Sequence, residues 1–296
     1  MKLKKPKFWD YDKPNILSLI LIPIALLLQI LNFIKNIFVI KRKIEGIKTI
    51  CVGNIYVGGT GKTSLSLKIK DILDKKNIKA CFIKKNYPEQ QDEQKILQEK
   101  GDLFKDSKRI RSINHALKEG NQFAILDDGL QDLSIKYDMI FICFNNMNWI
   151  GNGQTIPAGP LRENLNNLKN YNHVFLIGNL ENLEFIKKKI FQINSKISIH
   201  VAKYVPINLH DFSKNEKYIV FSGIGNHKTF VSMLKKYEIN IIKDIEFPDH
   251  FQYSKKIIDK IILMSKNENC KIITTKKDYL RLGQKYNNNI KFIDVT

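Results

Sequence analysis

The segment V-G-G-T-G-K-T, Val57–Thr63, is the clearest indication of the fold of this chain. It follows the apolar run Lys48–Val52, which predicts a buried strand, and it leads into a helical pattern over Thr63–Lys75. A strand, a glycine-rich loop, Lys-Thr and a helix in this order are typical of a P-loop, in which backbone N–H groups and the helix N-terminus surround phosphate oxygens. The sequence therefore predicts a P-loop sheet domain that binds a nucleotide triphosphate.

Two side chains of this loop carry the predicted chemistry. We expect Lys62 to reach the β- and γ-phosphates of the nucleotide, and the Thr63 hydroxyl to bind Mg²⁺. The strict motif requires glycine where this chain has Tyr56, so a chance strand, glycine turn and helix stays open as the alternative. The predicted nucleotide-binding residues are Tyr56, Val57, Gly58, Gly59, Thr60, Gly61, Lys62 and Thr63.

A pair of acidic residues follows another apolar run. Phe123–Leu126 leads into the segment D-D-G-L-Q, Asp127–Gln131. Behind a buried strand and downstream of a P-loop, this is the position where a carboxylate holds Mg²⁺, although Asp-Asp-Gly alone is also a common turn. The predicted metal ligands are Thr63, Asp127, Asp128 and Gln131.

The N-terminal segment Ile16–Ile34 is mostly apolar. As a helix it would rise about 28 Å, close to the hydrocarbon thickness of a bilayer, so it is long enough to span. Small or polar residues recur along it at helical spacings, which favours a helix that lies in the interface or packs this stripe on the protein. A buried core helix is the remaining alternative, whereas the stretch is too long for a cleaved signal peptide. The stripe consists of Ser18, Ala25, Gln29, Asn32 and Asn36.

The rest of the chain alternates short apolar runs with helical patterns, which is typical of a parallel α/β sheet. We expect an N-terminal membrane-associating segment (1–43), a P-loop domain (44–206) and a smaller C-terminal α/β domain (207–296). Further helices are predicted at Asn164–Asn170, Lys228–Lys236 and Lys255–Ser265. Further strands are predicted at Ala80–Ile83, Met139–Phe144 and His173–Ile177, and in a second series at Ile197–Tyr204, Tyr218–Ser222, Ile239–Phe247, Lys271–Thr274 and Ile290–Val295.

The formal net charge of +20 over 296 residues favours an anionic partner such as a nucleotide or a phospholipid surface. Lysine is abundant along the whole chain, so a compositional bias with solvated side chains is the alternative. No RNA-binding aromatic motif, zinc finger or basic helix array is present, so we expect no nucleic-acid partner. None of the four cysteines (Cys51, Cys81, Cys143 and Cys270) is spaced for a metal, which indicates free thiols in a reducing compartment.

Further motifs place the chain beside a known family. I-P-A-G-P-L-R-E occupies Ile156–Glu163, and S-G-I-G-N, F-P-D-H and T-K-K-D follow at Ser222–Asn226, Phe247–His250 and Thr275–Asp278. Together with the P-loop, Asp92-Glu93 and the acidic segment, these motifs cover nearly the whole chain in order. The chain resembles the tetraacyldisaccharide 4'-kinase family, the lipid A 4'-kinases of Gram-negative bacteria, which also lack glycine at the first P-loop position.

The resemblance implies a reaction and a location. The reaction is transfer of the γ-phosphoryl group of ATP to the 4'-hydroxyl of a tetraacylated glucosamine disaccharide 1-phosphate, giving lipid IV-A in lipopolysaccharide biosynthesis. ATP and Mg²⁺ are the implied cofactors, and the acylated disaccharide phosphate lipid and the membrane surface are the implied partners. The implied location is the cytoplasmic face of the inner membrane, and we expect a monomer.

The resemblance also implies roles for single residues. Asp92 corresponds to the catalytic base that takes the proton from the sugar hydroxyl, and His250 to the histidine that pairs with it. Lys62 completes the implied catalytic set through its action on the phosphates. Arg162 and Glu163 lie in the implied substrate-contacting loop, and Asn54 is grouped with them as a substrate contact.

Two single positions and one four-residue stretch depart from the family pattern. Asp132 and Phe251 stand where the family often has histidine, and Lys85–Pro88 replaces an Arg-Gly-Tyr-Gly stretch. These departures concern the surroundings of Asp92 and His250, and they leave Lys62, Thr63 and the acidic pair unchanged.

Two other functions stay open. Thr275–Asp278 matches the guanine-recognition pattern of a GTPase, but it lies across a second domain from the P-loop and Leu130 stands where the switch glycine belongs. A membrane ATP-binding protein without catalytic activity is the second alternative, because of the departures near Asp92.

Overall fold

The computed structural model of the protein describes residues 5–86, 90–282, 286 and 289–296, so part of the predicted membrane segment and Tyr87-Pro88 lie outside the described residues. The chain forms two compact units. The larger unit contains described residues 5–86 and 97–202, and the smaller unit contains residues 90–96 and the described residues from 203 onward. Residues 90–96 thus group with the smaller unit although they precede most of the larger one in the chain. The predicted domain division at residues 43 and 206 stays a prediction.

The larger unit is built on a seven-stranded sheet in which every neighbouring pair is parallel. Its strands are β1 (Lys48–Gly53), β2 (Ala80–Lys85), β3 (Leu103–Asp106), β4 (Phe123–Asp127), β5 (Met139–Asn145), β6 (His173–Ile177) and β7 (Ser198–Ala202). The strand order is β3-β2-β4-β1-β5-β6-β7. The helices of this part of the chain are α1 (Ile16–Ile37), α2 (Lys62–Lys75), α3 (Gln91–Gln98), α4 (Arg109–Lys118) and α5 (Leu183–Ile193), and most of α3 belongs to the smaller unit.

The order of the central strands decides where the site lies. β1 and β4 are almost wholly buried, as expected of strands covered on both faces of a parallel sheet. They are paired in register with Val52 opposite Asp127. The loop after β1 and the acidic residues at the end of β4 therefore meet at the carboxyl edge of the sheet, where ligands bind in open α/β folds.

Helix α1 packs on the larger unit through part of its polar stripe. Ser18 and Ala25 are buried, and Gln29 Nε2 donates to Thr155 Oγ1 at 2.7 Å. The large apolar side chains remain exposed, for example Ile20 at 65% and Leu27 at 56%, so the alternative of a buried core helix is wrong. Of the helices that the structure describes, α1 is the one long and apolar enough to cross a membrane by length and composition.

The smaller unit contains a four-stranded parallel sheet with the order β11-β10-β8-β9. Its strands are β8 (Lys217–Ser222), β9 (Asn240–Glu246), β10 (Lys271–Thr275) and β11 (Ile290–Ile293), and its helices after α3 are α6 (His227–Lys236), α7 (Lys255–Asn267) and α8 (Lys276–Leu282). Apolar side chains pack on both faces of this sheet, with Val220 and Leu234 in one cluster and Phe221 and Ile258 in the other. β8 pairs with β10, so the segments that follow these two strands begin at one edge.

Some sequence-based expectations need correction. The strand predicted at Ile197–Tyr204 is β7, and it pairs with β6 in the larger sheet instead of opening the second series. The helix predicted at Asn164–Asn170 is a short 3-10 segment, Leu165–Asn170. Strand β3 and helices α3, α4, α5 and α8 were not predicted; β3 is a four-residue edge strand with half-buried side chains, so it lacks the apolar run that marks the other strands.

Candidate functional site

The loop after β1 has the backbone of a phosphate-binding loop. Gly61 is the N-cap of α2 with φ of 87°, a left-handed conformation that glycine adopts without steric cost. The side-chain amide of Asn54 donates to the carbonyls of Tyr56 at 2.5 Å and of Gly58 at 3.3 Å. The buried Asn54 therefore holds the first turn of the loop from inside.

Asp127 is the buried carboxylate of the site. Thr63 Oγ1 lies 3.4 Å from its Oδ2, and Ser66 Oγ donates to its Oδ1 at 3.3 Å. Lys84, at the end of β2, places its Nζ 2.6 Å from Asp127 Oδ2, and both side chains are 1% exposed. Sequence reasoning missed Lys84; the available signal was an apolar strand that ends in two lysines, Lys84 and Lys85.

Asp128 is the second acidic residue, and it faces the phosphate-loop lysine. Lys62 Nζ lies 3.7 Å from its Oδ1, and Arg162 Nη1 donates to the same oxygen at 2.9 Å. Burial opposes ionisation of this carboxyl, but the charges of Lys62, Arg162 and Lys84 outweigh it and hold its pKa well below the usual range. Asp128 also has φ of 60°, the kind of backbone strain that is often found at functional sites.

The remaining predicted residues of the larger unit divide into two groups. Gln131 belongs to the acidic cluster, because its Oε1 accepts from Arg162 at 2.9 Å and its Nε2 donates to the Asn54 carbonyl at 3.2 Å. Glu163 instead accepts from Asn167 and Tyr171, and burial raises its pKa. Tyr56 is buried, and its hydroxyl donates to Asp10 at 2.9 Å. Within this unit, the structure therefore brings together Lys62, Thr63, Asp127, Asp128, Gln131 and Arg162.

Asp92 and His250 lie together in the smaller unit. His250 Nδ1 is 3.5 Å from Asp92 Oδ1, and Asp92 is 3% exposed. His250 has φ of 55°, so the loop that carries it is held in a left-handed conformation. Burial opposes ionisation of Asp92, but the hydrogen bond from His250 and the charges of Arg281 and Lys277 lower its pKa well below the usual range.

Arg281 and the T-K-K-D motif surround this pair. Arg281 Nε donates to Asp92 Oδ2 at 3.1 Å, and its Nη1 donates to Asp278 Oδ1 at 2.9 Å. Lys277 Nζ lies 2.7 Å from Glu93 Oε1. Sequence reasoning missed Arg281, because its partner is 189 positions away in the chain.

The donor set for a metal ion is small. Among residues 5–86, 90–282, 286 and 289–296, no group of three or more His, Cys, Asp and Glu side chains is arranged to hold a metal ion. The predicted ligand set differs in kind, since it combines two carboxylates with a hydroxyl and an amide oxygen.

Comparison with known proteins identifies the family. A sequence model of the family described as tetraacyldisaccharide-1-P 4'-kinase matches residues 17–296. The chain belongs to the tetraacyldisaccharide-1-P 4'-kinase family. The tetraacyldisaccharide 4'-kinase of Pelagibacter ubique (strain HTCC1062) is 58% identical over 295 residues, which are 99% of this chain and 93% of the relative. The enzyme of the same name from Rickettsia bellii (strain OSU 85-389) is 36% identical over 302 residues, covering 96% of this chain and 91% of the relative.

A solved structure of similar fold supports this architecture. A crystal structure of LpxK from Aquifex aeolicus, described as in complex with ATP, superposes with a TM-score of 0.67 at 22% identity and covers 95% of this chain and 94% of that one. The predicted P-loop type of parallel α/β fold is confirmed by this match. The match to the family model and to the named relatives confirms the resemblance found in the sequence and the prediction of a kinase.

Proposed function

We propose that this protein transfers the γ-phosphoryl group of ATP to the 4'-hydroxyl of a tetraacyldisaccharide 1-phosphate, giving lipid IV-A. The observation that carries the proposal is the phosphate loop at the acidic edge of the larger sheet, with Lys62 facing Asp128 and Thr63 facing Asp127. The family supports the acceptor, because the relatives carry the name of this reaction.

The loop suits a triphosphate and its metal ion. Asn54 Oδ1 and Thr60 Oγ1 are buried without a hydrogen-bond partner among the described residues. Unsatisfied buried polar atoms are costly, so two of them at one loop support a ligand there. Lys62 and the loop N–H groups would hold the phosphates, and Thr63, Asp127, Asp128 and Gln131 would hold Mg²⁺, which neutralises charge on the transferring group.

Asp92 is the proposed base. Phosphoryl transfer has a loose transition state that asks for alignment of the hydroxyl more than for strong deprotonation. A carboxylate with a lowered pKa is a weak base but stays ionised at neutral pH, and His250 at 3.5 Å orients one of its oxygens. In the proposal Arg162 pairs with a phosphate of the acceptor, and acceptor contacts by Asn54 and Glu163 stay predictions.

The acceptor is a lipid, so the proposal includes a membrane surface. The exposed apolar side chains of α1 and the net charge of +20 both favour an anionic lipid surface. We place the protein at the cytoplasmic face of the inner membrane, as a monomer, because ATP and a reducing environment for its free cysteines are found on that side.

The test is phosphate transfer from γ-labelled ATP to tetraacyldisaccharide 1-phosphate in mixed micelles. The unmodified protein is expected to label the lipid. Lys62→Ala is expected to lower kcat by about 10²-fold or more, because a positively charged hydrogen-bond donor to the phosphates is lost. Lys68→Ala, an exposed lysine on the same helix α2, is the matched control and should keep full activity. No labelled lipid from the unmodified protein would support the alternative of a non-catalytic ATP-binding protein.

The GTPase alternative is disfavoured by the surroundings of the T-K-K-D motif. Asp278 is fully buried, its Oδ1 accepts from the Gly223 N–H and Tyr253, and its Oδ2 accepts from Thr275. Its oxygens are therefore engaged inside the smaller unit and do not face a guanine base. Turnover with GTP equal to turnover with ATP would contradict this view.

A further inference from the structure

The guanidinium of Arg281 is held on one side and bonded to Asp92 on the other. Its Nη1 donates to the Gly223 carbonyl at 2.7 Å and to Asp278 Oδ1 at 2.9 Å. Its Nε and Nη2 both donate to Asp92 Oδ2. With the Arg281 side chain only 5% exposed, these donors face protein groups instead of water. Arginine suits this position because its planar fork fixes two directions at once.

The support behind Arg281 is a set of hydrogen bonds centred on Asp278. Asp278 Oδ1 accepts from the Gly223 N–H at 2.9 Å and from the Tyr253 hydroxyl at 2.7 Å, and Thr275 Oγ1 donates to its Oδ2 at 2.6 Å. Gly223 has no room for a side chain, since an added Cβ would lie 2.9 Å from the Tyr253 hydroxyl. These contacts join the end of β8, the loop before α7 and the first turn of α8.

We infer that Arg281, held by Asp278, is a positioning residue that keeps the Asp92 carboxylate ionised and directed for phosphoryl transfer. This inference rests on the proposed function of Asp92. The Oδ2 atom of Asp92 accepts hydrogen bonds from Arg281. The Oδ1 atom, which lies toward His250, is therefore the oxygen that accepts the proton. The T-K-K-D motif is then the support of the base, which explains a nucleotide-recognition pattern in a place where its aspartate is buried.

Other charged groups also face Asp92. Lys277 of α8 lowers its pKa as Arg281 does, His250 lies on the loop after β9, and Glu93 on its own helix is paired with Lys277. Asp249 lies 3.9 Å from His250 Nε2. Arg281 differs from Lys277 because its guanidinium donates directly to the Asp92 carboxylate, and its Nη2 also lies 3.3 Å from His250 Nδ1.

The kinetic test compares Arg281→Gln, Arg281→Lys and the control Arg111→Gln, whose side chain is 65% exposed on α4. Arg281→Gln is expected to lower kcat by about 10²-fold, because the base is misplaced. The KM for ATP and the KM for the lipid acceptor should each change by less than about threefold. Arg281→Lys keeps the charge but loses the fork, so its loss should be smaller, and Arg111→Gln should match the unmodified enzyme. A kcat for Arg281→Gln within about twofold of the unmodified enzyme would overturn the inference.

A double variant separates positioning from a general structural role. In an Asp92→Asn background the base is already lost, so adding Arg281→Gln should cost less than about twofold more. If the two losses multiply instead, Arg281 does not act through Asp92. Melting temperatures of all variants show whether each is folded at the assay temperature. If Arg281→Gln is unfolded there, Arg281→Lys takes its place in the comparison.

A measurement without catalysis keeps this inference distinct from the proposed function. The Asp92 carboxyl is followed by ¹³C NMR of aspartate-labelled protein, with Asp92→Asn to assign its signal. Its titration midpoint should rise by about 1 to 3 pH units in Arg281→Gln, because a paired cation is removed. An unchanged titration midpoint of Asp92 would overturn the inference even if the enzyme is active. A shifted midpoint, together with no transfer of labelled phosphate by the unmodified protein, would contradict the proposed function but not the inference.

Discussion

Lys84 and Asp127 form a buried ion pair next to the phosphate loop. Their charged atoms are 2.6 Å apart and both side chains are 1% exposed. An ion pair this deep gains little net stability over an apolar pair, but removal of one partner leaves a charge without compensation. We therefore infer that the charge of Lys84 compensates the buried carboxylate of Asp127 at the end of β4.

The substitution Lys84→Met tests this role. It should lower the free energy of unfolding by about 3–5 kcal/mol, and the double variant Lys84→Met/Asp127→Asn should recover part of that loss. Urea unfolding followed by circular dichroism measures both. The control Lys48→Met, with a side chain 64% exposed, should change stability by less than about 1 kcal/mol. Equal losses of unfolding free energy for Lys84→Met and Lys48→Met would contradict this role of Lys84.

The lowered pKa values of Asp92 and Asp128 predict how stability depends on pH. Both groups ionise more readily in the folded chain than in the unfolded chain, whose carboxyl pKa is about 3.9. Their contribution is thus fully present above that value and is lost as the pH falls below about 4. Urea unfolding between pH 6 and about pH 2.5 should show a shallower acid decline for Asp92→Asn than for the exposed Asp259→Asn. Identical declines would count against the lowered pKa of Asp92.

At the scale of elements, α1 is tied to the loop that carries Arg162. Asn152, on the segment before that loop, donates through Nδ2 to Ser18 Oγ at 2.8 Å and to the Ala158 carbonyl at 3.0 Å. Trp9 Nε1, on the 3-10 segment before α1, donates to the Pro157 carbonyl at 3.0 Å. The polar stripe of the helix therefore serves to attach an apolar surface to the I-P-A-G-P-L-R-E segment.

Charged residues on the exposed face of α1 should weaken membrane binding. Ile20 and Leu27 are seven residues apart on one face and are 65% and 56% exposed. The double variant Ile20→Asp/Leu27→Asp should lower partition into phosphatidylglycerol-containing vesicles at least about tenfold, because two large apolar side chains no longer enter the lipid. Leu263→Asp, a side chain 59% exposed on α7, is the control and should bind normally. Vesicle co-sedimentation measures the partition, and an unaffected double variant would exclude α1 as the docking surface.

At the scale of the whole molecule, the surplus of 49 lysine and arginine over 29 acidic residues predicts a salt-dependent association with anionic lipid. Raising the ionic strength from about 0.05 M to about 0.5 M shortens the screening length and should lower vesicle partition severalfold. The apolar contribution of α1 should persist at high salt. Partition that does not respond to salt would favour the alternative of a compositional bias with solvated lysines.

Much of the fold could be predicted from local patterns. A signal inside a short window of sequence marks the P-loop, the strands β1, β4, β5 and β6, and the helices α2, α6 and α7. β3 was missed because a half-buried edge strand has no continuous apolar run, and β7 was assigned to the wrong series because a single strand does not reveal which sheet it joins.

Local sequence patterns were enough to predict the parts of this protein whose physical requirements are local: glycines where the chain must approach a phosphate, a lysine and threonine at a helix start, and acidic residues after a buried strand. The charged partners of these residues became evident only from the tertiary structure. Lys84 meets Asp127 across 43 positions and Arg281 meets Asp92 across 189, because strand order and the packing of α8 bring them together. Such contacts arise from the burial of whole elements, and no spacing along the chain encodes them.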